Sequence, residues 1–421
     1  MSPLFLSQEQ IEQISQSFEL PLYVYSEAKL IEYANNMLAM PSAFGLSVRY
    51  AMKANSNQNI LRLFNYKGIK IDASSAYETL RAMQVGVPPH DIELCGQEMP
   101  TDLAGFVNMG MEFLATSLHQ LEEYGKLFPA TGVGIRVNPG EGSAAFKKIS
   151  TGGRTSAFGI WYEYLDQVHA IAKKYALKIT KIHQHIGSEN TPEAWVESAK
   201  MGLNICEQFP HTTTFNMGGW FKMAIMPNEK TADLQGIGNL VKEQFETFYK
   251  KTGRKLTLEI EPGKYLVINS CSVISKIIDI VDTDPSKEGY TFIRTNTGMT
   301  EMPRPTMYGV QQPIHIIGST SDSISQQKKY VVVGHCCESG DLLTCKLYAN
   351  EEIEERELPE AKIGDILVFD GSGAYNASMS MKNYNSFPEA WEVLIRLDGS
   401  LVEIRKREKL EDIWRNEISV I

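Results

Sequence analysis

The segment Ser47-Val48-Arg49-Tyr50-Ala51-Met52-Lys53 decides the fold, because it is the first of eight similar apolar runs. It predicts a short β-strand with Lys53 at its carboxyl end, and residues 54–57 then turn the chain. A lysine at a strand end is usually only solvated, but this position also suits an amine that forms a Schiff base. The residues at the other strand ends decide between the two interpretations.

Helix-length amphipathic segments separate the eight runs, which alternate with them in the manner of parallel βα units. The runs are 48–53, 69–72, 92–95, 113–116, 133–138, 179–186, 213–217 and 256–261. Eight such units close a (β/α)8 barrel of the TIM type, whose active sites lie at the carboxyl ends of the strands. The residues at those ends are Lys53, Asp72, Cys95-Gly96, Ser117, Asn138, His185, Gly218-Gly219 and Glu261.

After about residue 268 the pattern changes, because apolar runs at 330–333, 365–369 and 391–397 are separated by turns without helical crossovers. This is typical of a mostly antiparallel β domain. We therefore expect three parts: residues 1–25 as a strand region that pairs with the β domain, 26–268 as the barrel and 269–421 as the β domain. The irregular stretch 139–158 has the length of a lid over an active site.

Composition excludes several classes of protein. A formal charge of −10 and a pI near 5.5 disfavour nucleic acid or an anionic membrane as partner. The six cysteines form neither a disulfide framework nor a zinc pattern. There is no Lys or Arg before Lys29 and no apolar stretch of the roughly 20 residues that span a bilayer. We expect a cytoplasmic protein without a metal site.

The segment His183-Gln184-His185-Ile186-Gly187-Ser188 carries two histidines on one face, because strand side chains alternate. A metal pair is one interpretation, although no carboxylate or cysteine nearby completes a ligand set. A structural role suits His183. Stacking on a flat cofactor suits His185, and Ser188 could add a hydroxyl to a phosphate.

Two further strand ends complete the pattern. Gly218 and Gly219 let backbone N–H groups approach an anion such as phosphate, although most double glycines serve turns. A buried Glu261 needs a partner, which is either a protonated pyridine nitrogen or a barrel lysine. An amine, a ring stacker, a phosphate cradle and a pyridinium partner together suit pyridoxal phosphate.

Five motifs in family order then resemble the fold-type III pyridoxal-phosphate-dependent decarboxylases, most closely the diaminopimelate decarboxylases. They are Tyr50-Ala51-Met52-Lys53-Ala54-Asn55, His183–Ser188, Glu261-Pro262-Gly263-Lys264, Cys337-Glu338-Ser339-Gly340-Asp341 and Gly373-Ala374-Tyr375. The resemblance implies pyridoxal 5'-phosphate as cofactor. It also implies a barrel followed by a β domain, as in alanine racemase and ornithine decarboxylase.

The resemblance implies a role for each matching residue. Lys53 would form the Schiff base, His185 would stack on the ring and Glu261 would pair with the pyridinium. Other cofactor contacts would come from Asp72, Ser188, Gly218, Gly219, Gly263, Lys264 and Tyr375. Cys337 would reach the neighbouring subunit's active site and protonate the carbon that loses carbon dioxide, which makes the protein a homodimer with composite sites. Simple burial of Cys337 as a small residue would not explain the adjacent Glu338 and Asp341.

The implied reaction converts meso-diaminopimelate to L-lysine and carbon dioxide. Arg304, Tyr308 and Glu338 would hold the distal carboxylate and ammonium, with Lys264 and Tyr375 also near the substrate. Alternatively, Arg304 is an ordinary surface arginine. The family usually has arginine where Lys264 stands and glycine where Trp220 stands, so decarboxylases of carboxynorspermidine, D-ornithine or D-lysine remain alternatives. A non-catalytic regulator like the inhibitor-binding homologues of ornithine decarboxylase is another.

Overall fold

A computed structural model describes residues 4–140, 152–185, 191–283, 288–318 and 327–421. The chain divides into two compact units. We call one the barrel unit, which comprises Ile31–Met223 and Lys230–Leu266. The other, the β unit, comprises the described parts of Met1–Leu30, Ala224–Glu229 and Val267–Ile421.

The strands of the described residues span two to seven residues in the barrel unit and two to twelve in the β unit. In chain order they are β1 (Leu22–Ser26), β2 (Leu46–Ala51), β3 (Lys70–Ala73), β4 (Ile92–Leu94), β5 (Glu112–Ala115), β6 (Gly132–Asn138), β7 (Ile160–Trp161), β8 (Lys178–His183), β9 (Thr214–Asn216), β10 (Thr257–Ile260), β11 (Cys271–Asp282), β12 (Thr291–Thr295), β13 (Ile314–Ile317), β14 (Gln327–Val333), β15 (Cys345–Lys346), β16 (Ala349–Ile353), β17 (Arg356–Pro359), β18 (Ile366–Phe369), β19 (Trp391–Ile395) and β20 (Leu401–Arg405).

Helices connect the barrel strands, as the βα pattern predicts, and further helices lie in the β unit. They are α1 (Gln8–Ser17), α2 (Glu27–Leu38), α3 (Gln58–Tyr66), α4 (Ala76–Gln84), α5 (Leu103–Asn108), α6 (Leu118–Leu127), α7 (Leu165–Tyr175), α8 (Pro192–Gln208), α9 (Leu234–Thr252), α10 (Lys264–Val267), α11 (Pro303–Tyr308) and α12 (Leu410–Trp414). No described helix is both long enough and apolar enough to cross a membrane.

The barrel closes through parallel pairs only. Its strand order is β5-β4-β3-β2-β10-β9-β8-β6, and β5 also pairs with β6, which completes the ring. Each of the eight predicted runs overlaps one barrel strand, so the predicted (β/α)8 barrel is confirmed. Ser117, one of the predicted strand-end residues, caps α6 instead, because its hydroxyl accepts a hydrogen bond from the Gln120 N–H at 3.1 Å.

A layer of charges, buried except for the partly exposed Glu112, fills the barrel interior. Lys181 Nζ lies 2.6 Å from a carboxylate oxygen of Glu112 and of Glu259, and it also contacts Glu93. Arg49, 1% exposed, binds Glu259 and Glu112 at 2.8 and 2.6 Å. These charges sit below the carboxyl ends of the strands, because they come from strand residues that precede the predicted site residues.

The β unit is built on a sheet of order β17-β14-β12-β11-β1-β19-β20, with β18 pairing with β11 and β13. Most pairs are antiparallel, whereas β1–β19 and β12–β14 are parallel. The N-terminal strand β1 lies between β11 and β19. Its Leu22 and Val24 pack with Ile274, Val368 and Val393 in a buried core. The mostly antiparallel architecture of this part agrees with the sequence prediction.

Candidate active site

Lys53 stands at the carboxyl end of the first barrel strand, although β2 ends two residues earlier than predicted. Met52–Ala54 forms a single turn of 3-10 helix that carries the lysine past the strand. Its side chain is 50% exposed, with Nζ 3.9 Å from Asp72 Oδ2 and 3.4 Å from the Ser74 hydroxyl. The amine is therefore accessible at the rim and lies beside one buried carboxylate.

Asp72 is only 3% exposed, at the end of β3. Its Oδ1 has no hydrogen-bond partner among the described residues. Burial, and then the nearby charge of Glu261, raise the pKa of Asp72 to about 7, while Lys53 opposes them. Buried carboxyl oxygens normally have hydrogen-bond partners. An oxygen without one, next to the lysine, is therefore a place where a polar ligand can bind.

Glu261 follows β10 and is held by two neutral groups. His183 Nε2 lies 3.0 Å from its Oε2, and the Asn216 amide donates to its Oε1 at 2.6 Å. Burial lowers the pKa of His183, so the ring is neutral and donates its Nε2 proton to the carboxylate. Burial alone would raise the pKa of Glu261, but His183 and then Lys53 hold it below its ordinary value. Glu261 is thus an ionised carboxylate.

The contacts of this strand also show which of its carboxylates binds a barrel lysine. Glu259 forms the salt bridge to a barrel lysine, Lys181, at 2.6 Å. Glu261 pairs with His183, and that contact gives the histidine a structural role. Among the described residues no group of three or more His, Cys, Asp or Glu side chains could hold a metal ion.

His185 and the glycine pair lie together. The Gly219 N–H donates to His185 Nδ1 at 3.2 Å, and the Gly218 N–H donates to Asn216 Oδ1 at 2.8 Å. Burial, followed by Arg136 and His183, lowers the pKa of His185 to about 3. The imidazole is therefore neutral, with its proton on Nε2. Gly218 has φ +68°, and a Cβ there would overlap the His185 ring, so only glycine fits.

The Glu-Pro-Gly-Lys segment lies beside the lysine strand. The Ala51 N–H donates to the Pro262 carbonyl at 3.2 Å, Gly263 is buried, and Lys264 begins α10. Trp220 is partly buried after the glycine pair. Ser188 and most of the predicted lid, residues 141–151, lie outside the described residues.

In the β unit, Arg304 lies on the short helix α11 and is 6% exposed, which excludes an ordinary surface arginine. Its Nη1 has no hydrogen-bond partner among the described residues. Burial lowers the pKa of Arg304, while Tyr375, Tyr308 and Tyr348 raise it. Tyr375 has a left-handed φ of +56°, which is uncommon for a non-glycine residue. The guanidinium therefore lies among tyrosines with one donor uncommitted.

Cys337 and Glu338 lie on an exposed loop of the β unit. Cys337 is the exposed member of six free cysteines. The carboxylate of Glu338 accepts hydrogen bonds from the Gly340 N–H at 3.1 Å and the Tyr384 hydroxyl at 3.0 Å. These two donors, in that order, lower the pKa of Glu338 below its ordinary value.

Comparison with known proteins identifies the family. Residues 29–268 match the model of the pyridoxal-binding domain of pyridoxal-dependent decarboxylases. The chain belongs to the pyridoxal-dependent decarboxylases. It is 33% identical to a diaminopimelate decarboxylase of Buchnera aphidicola, over 98% of this chain and 97% of that one. A diaminopimelate decarboxylase of Escherichia coli K12 is 32% identical, with the same coverage of both chains.

Solved structures show the same likeness. A crystal structure of a diaminopimelate decarboxylase has a TM-score of 0.90 and 30% identity, and covers 99% of both chains. Another, from Helicobacter pylori in complex with L-lysine, has a TM-score of 0.83 and 26% identity over 96% of this chain and 98% of that one. Decarboxylases of this family, to which the chain belongs, are carbon–carbon lyases and use pyridoxal phosphate.

The barrel unit fits that cofactor. It offers an accessible amine at Lys53, an uncommitted buried oxygen at Asp72 and an ionised Glu261. A Cβ at Gly219 would overlap the carbonyl oxygen of Glu261, so only glycine lets the backbone after β9 approach the residue that follows β10 this closely.

Sequence reasoning missed Asn216 and the charges around Lys181. Asn216 donates to both Glu259 and Glu261, at 3.0 and 2.6 Å. The available signal was that Asn216 is a polar residue inside an apolar run. It lies on the same face as residue 214, because strand residues two apart share a face. The pattern alone did not say which charge pairs with which.

Proposed function

We propose that this chain decarboxylates meso-diaminopimelate to L-lysine and carbon dioxide. The buried Arg304, with a donor that no described residue accepts, carries the proposal. A buried guanidinium donor without a hydrogen-bond partner is costly, and a carboxylate matches the guanidinium fork. Glu338, ionised and exposed, would hold the ammonium next to that carboxylate. Diaminopimelate presents both groups at the end remote from the reaction, whereas ornithine and lysine lack the distal carboxylate.

The cofactor roles are assigned to barrel residues on the geometry above. Pyridoxal phosphate, when bound, supplies a ring that accepts the electron pair released with carbon dioxide. Lys53 would bind the cofactor covalently, with Asp72 beside its amine at 3.9 Å. The neutral His185 would stack on the ring, and Glu261 would hold a proton on the pyridine nitrogen.

The remaining cofactor and substrate contacts are proposed from the family motifs. Phosphate would be bound by Ser188, Gly218, Gly219 and Tyr375, with Gly263 and Lys264 close by. Tyr308 and Lys264 would line the substrate. An ammonium at Lys264 keeps the charge of the usual arginine but forms no bidentate contact.

Cys337 would return a proton to the carbon that loses carbon dioxide. We infer that it acts in the neighbouring subunit, so that each site of a homodimer combines Lys53 of one copy with Cys337 and Glu338 of the other. The exposure of both loop residues in the single chain supports this, since a proton donor and an ammonium ligand would otherwise face water. Six free cysteines support a cytoplasmic location.

Release of carbon dioxide from a panel of diamino acids tests the proposal. We expect turnover of meso-diaminopimelate and little of L-lysine, L-ornithine, D-ornithine, D-lysine or carboxynorspermidine. A higher kcat/KM on any of these competitors would reject diaminopimelate as the substrate and leave the decarboxylase family intact. No release from any of them, with cofactor bound, would favour a non-catalytic regulator.

A further inference from the structure

A second segment of the β unit runs beside the Cys337–Glu338 loop and contacts it residue by residue. We call this segment, residues 383–387, the clamp. Its Phe387 ring stacks on His335, with centroids 3.7 Å apart and planes 6° from parallel. Its Asn385 Oδ1 accepts the Cys337 N–H at 2.8 Å. Its Tyr384 hydroxyl donates to Glu338 at 3.0 Å.

The clamp has an unusual backbone. Asn383, Asn385 and Ser386 all have left-handed φ values, of 65°, 49° and 59°. Residues with a side chain adopt this region uncommonly, although asparagine does so more often than serine, and such a conformation persists where surrounding contacts impose it. Three such residues in a row of four therefore indicate that the conformation is held for a purpose. The contacts to Cys337 and Glu338 supply one.

The loop is also anchored from its other side. Asp341 accepts the N–H groups of Met299 and Cys336 at 2.6 and 2.9 Å. The hydroxyl of Thr306, on the helix that carries Arg304, donates to the Gly340 carbonyl at 2.8 Å. Helix α11, whose Arg304 would bind the distal carboxylate, is therefore hydrogen-bonded to the loop whose Glu338 would bind the ammonium. The clamp contacts the same loop.

We propose that Tyr384 and Asn385 are positioning residues, which fix the Glu338 carboxylate and the Cys337 backbone so that distal-ammonium recognition and proton return occur in one geometry. The inference rests on the proposed function of Cys337 and Glu338. Tyr384 orients one oxygen of Glu338, while the Gly340 N–H holds the other. Without the phenol the carboxylate can rotate, and recognition of the ammonium weakens. Without the Asn385 amide the thiol loses its fixed position.

The two contacts predict different kinetic defects. Tyr384→Phe should lower kcat/KM for meso-diaminopimelate about tenfold or more, mainly through KM, which is the effect of one hydrogen bond to a charged group. It should also weaken binding of the product L-lysine, whose amine and carboxylate are the distal groups of the substrate. The acid limb of the kcat/KM profile should move to higher pH, since Glu338 loses a donor that favours its ionised form.

Asn385→Gly should lower kcat with little change in KM. Glycine tolerates the left-handed backbone, so the variant removes the amide without adding strain. Asn383→Gly is the matched control, because it has the same backbone freedom and a φ of 65° but makes no described contact with Cys337. Tyr290→Phe is the control for Tyr384, since the two tyrosines are 40% and 36% exposed.

A second readout needs no substrate. Cys337 is the exposed thiol among the six cysteines, so its alkylation by iodoacetamide reports on the loop in the holoenzyme. We expect alkylation to be severalfold faster in Asn385→Gly than in wild type and Asn383→Gly. Equal rates in all three would overturn the clamp, whatever the substrate is. If wild type turns over meso-diaminopimelate and Tyr384→Phe has the same pH profile and KM as wild type, only the role of Tyr384 is overturned. Failure of wild type on meso-diaminopimelate would reject the proposed substrate instead.

Discussion

Lys53, with Asp72 beside its amine, is the residue that we expect to form the Schiff base with the cofactor. The amine is half exposed and lies 3.9 Å from a carboxylate that is almost fully buried. We predict that Lys53→Ala abolishes the visible absorbance of the Schiff base and all decarboxylation. Borohydride should fix a pyridoxyl group on the wild-type peptide that contains residue 53. Lys250→Ala, at an exposed lysine of the same unit, should leave both unchanged, and labelling at another lysine would refute the assignment.

Arg304 decides the substrate in our proposal. We predict that Arg304→Ala lowers kcat/KM on meso-diaminopimelate by about 30-fold or more, since a lost charge-assisted contact in a closed site is worth roughly 2–5 kcal/mol. Absorbance of the bound cofactor should not change. Arg304→Lys should recover only part of the loss, because an ammonium cannot form the bidentate contact. Normal activity of Arg304→Ala would overturn the substrate and leave the decarboxylase intact.

At the scale of the barrel strands, the interior charges contribute to stability through their pairing. Lys181 lies within 2.6 Å of Glu112 and Glu259 and also contacts Glu93. We predict that Lys181→Met lowers the free energy of unfolding by about 3–5 kcal/mol, because it removes the ion-pair partner of the buried Glu93 and leaves Glu259 with Arg49 alone. Lys178→Met, at an exposed lysine of the same strand, should cost little. The measurement is chemical denaturation of both variants, and equal midpoints would contradict the prediction.

The turn that precedes α11 carries a buried carboxyl of a different kind. Burial raises the pKa of Glu301 from 4.5 to about 7, although Thr300 and Thr297 donate to it. The folded state then binds a proton that the unfolded state releases between these two values. The free energy of unfolding should therefore fall as pH rises from about 4.5 to about 7, by roughly 3 kcal/mol at most.

Glu301→Gln isolates that contribution. The variant should lose this part of the pH dependence and gain stability relative to wild type at pH 8 but not at pH 5, because its amide does not ionise. Thermal unfolding of both proteins at the two pH values measures it. A constant difference between them would show that Glu301 has an ordinary pKa in the folded protein.

For the whole molecule, the proposed composite site makes activity a property of two copies. We predict that mixing inactive Lys53→Ala and Cys337→Ala proteins restores up to about one site in four, because random exchange makes half of the dimers mixed, each with one intact site. A mixture of Cys337→Ala and Glu338→Ala should restore nothing, since each site of the mixed dimer would keep one lesion. Inactivity of the first mixture after proven exchange would refute shared sites.

The sequence determined the (β/α)8 barrel, the mostly antiparallel β domain and the family. The spacing of apolar runs is a local property, and the turn residues that follow each strand mark where the rim lies. Lys53, Asp72, His185, Gly218 and Glu261 could be placed at strand ends for this reason. Strand bounds differed by up to three residues, because hydrogen bonding between strands sets where a strand ends. Their chemical roles stay predictions.

Tertiary structure alone decided which side chains meet. Nothing in the run around Lys181 says that it binds Glu112 and Glu259 from other strands, since barrel register brings residues 69 and 78 positions apart together. Likewise the sequence places Glu259 and Glu261 on the same face of their strand, yet Glu259 pairs with Lys181 and Glu261 with His183. The clamp is invisible in sequence because Tyr384 meets Glu338 across 46 residues. Apolar periodicity is encoded locally, whereas pairing of buried polar groups is set by distant strands and loops that only the folded chain brings together.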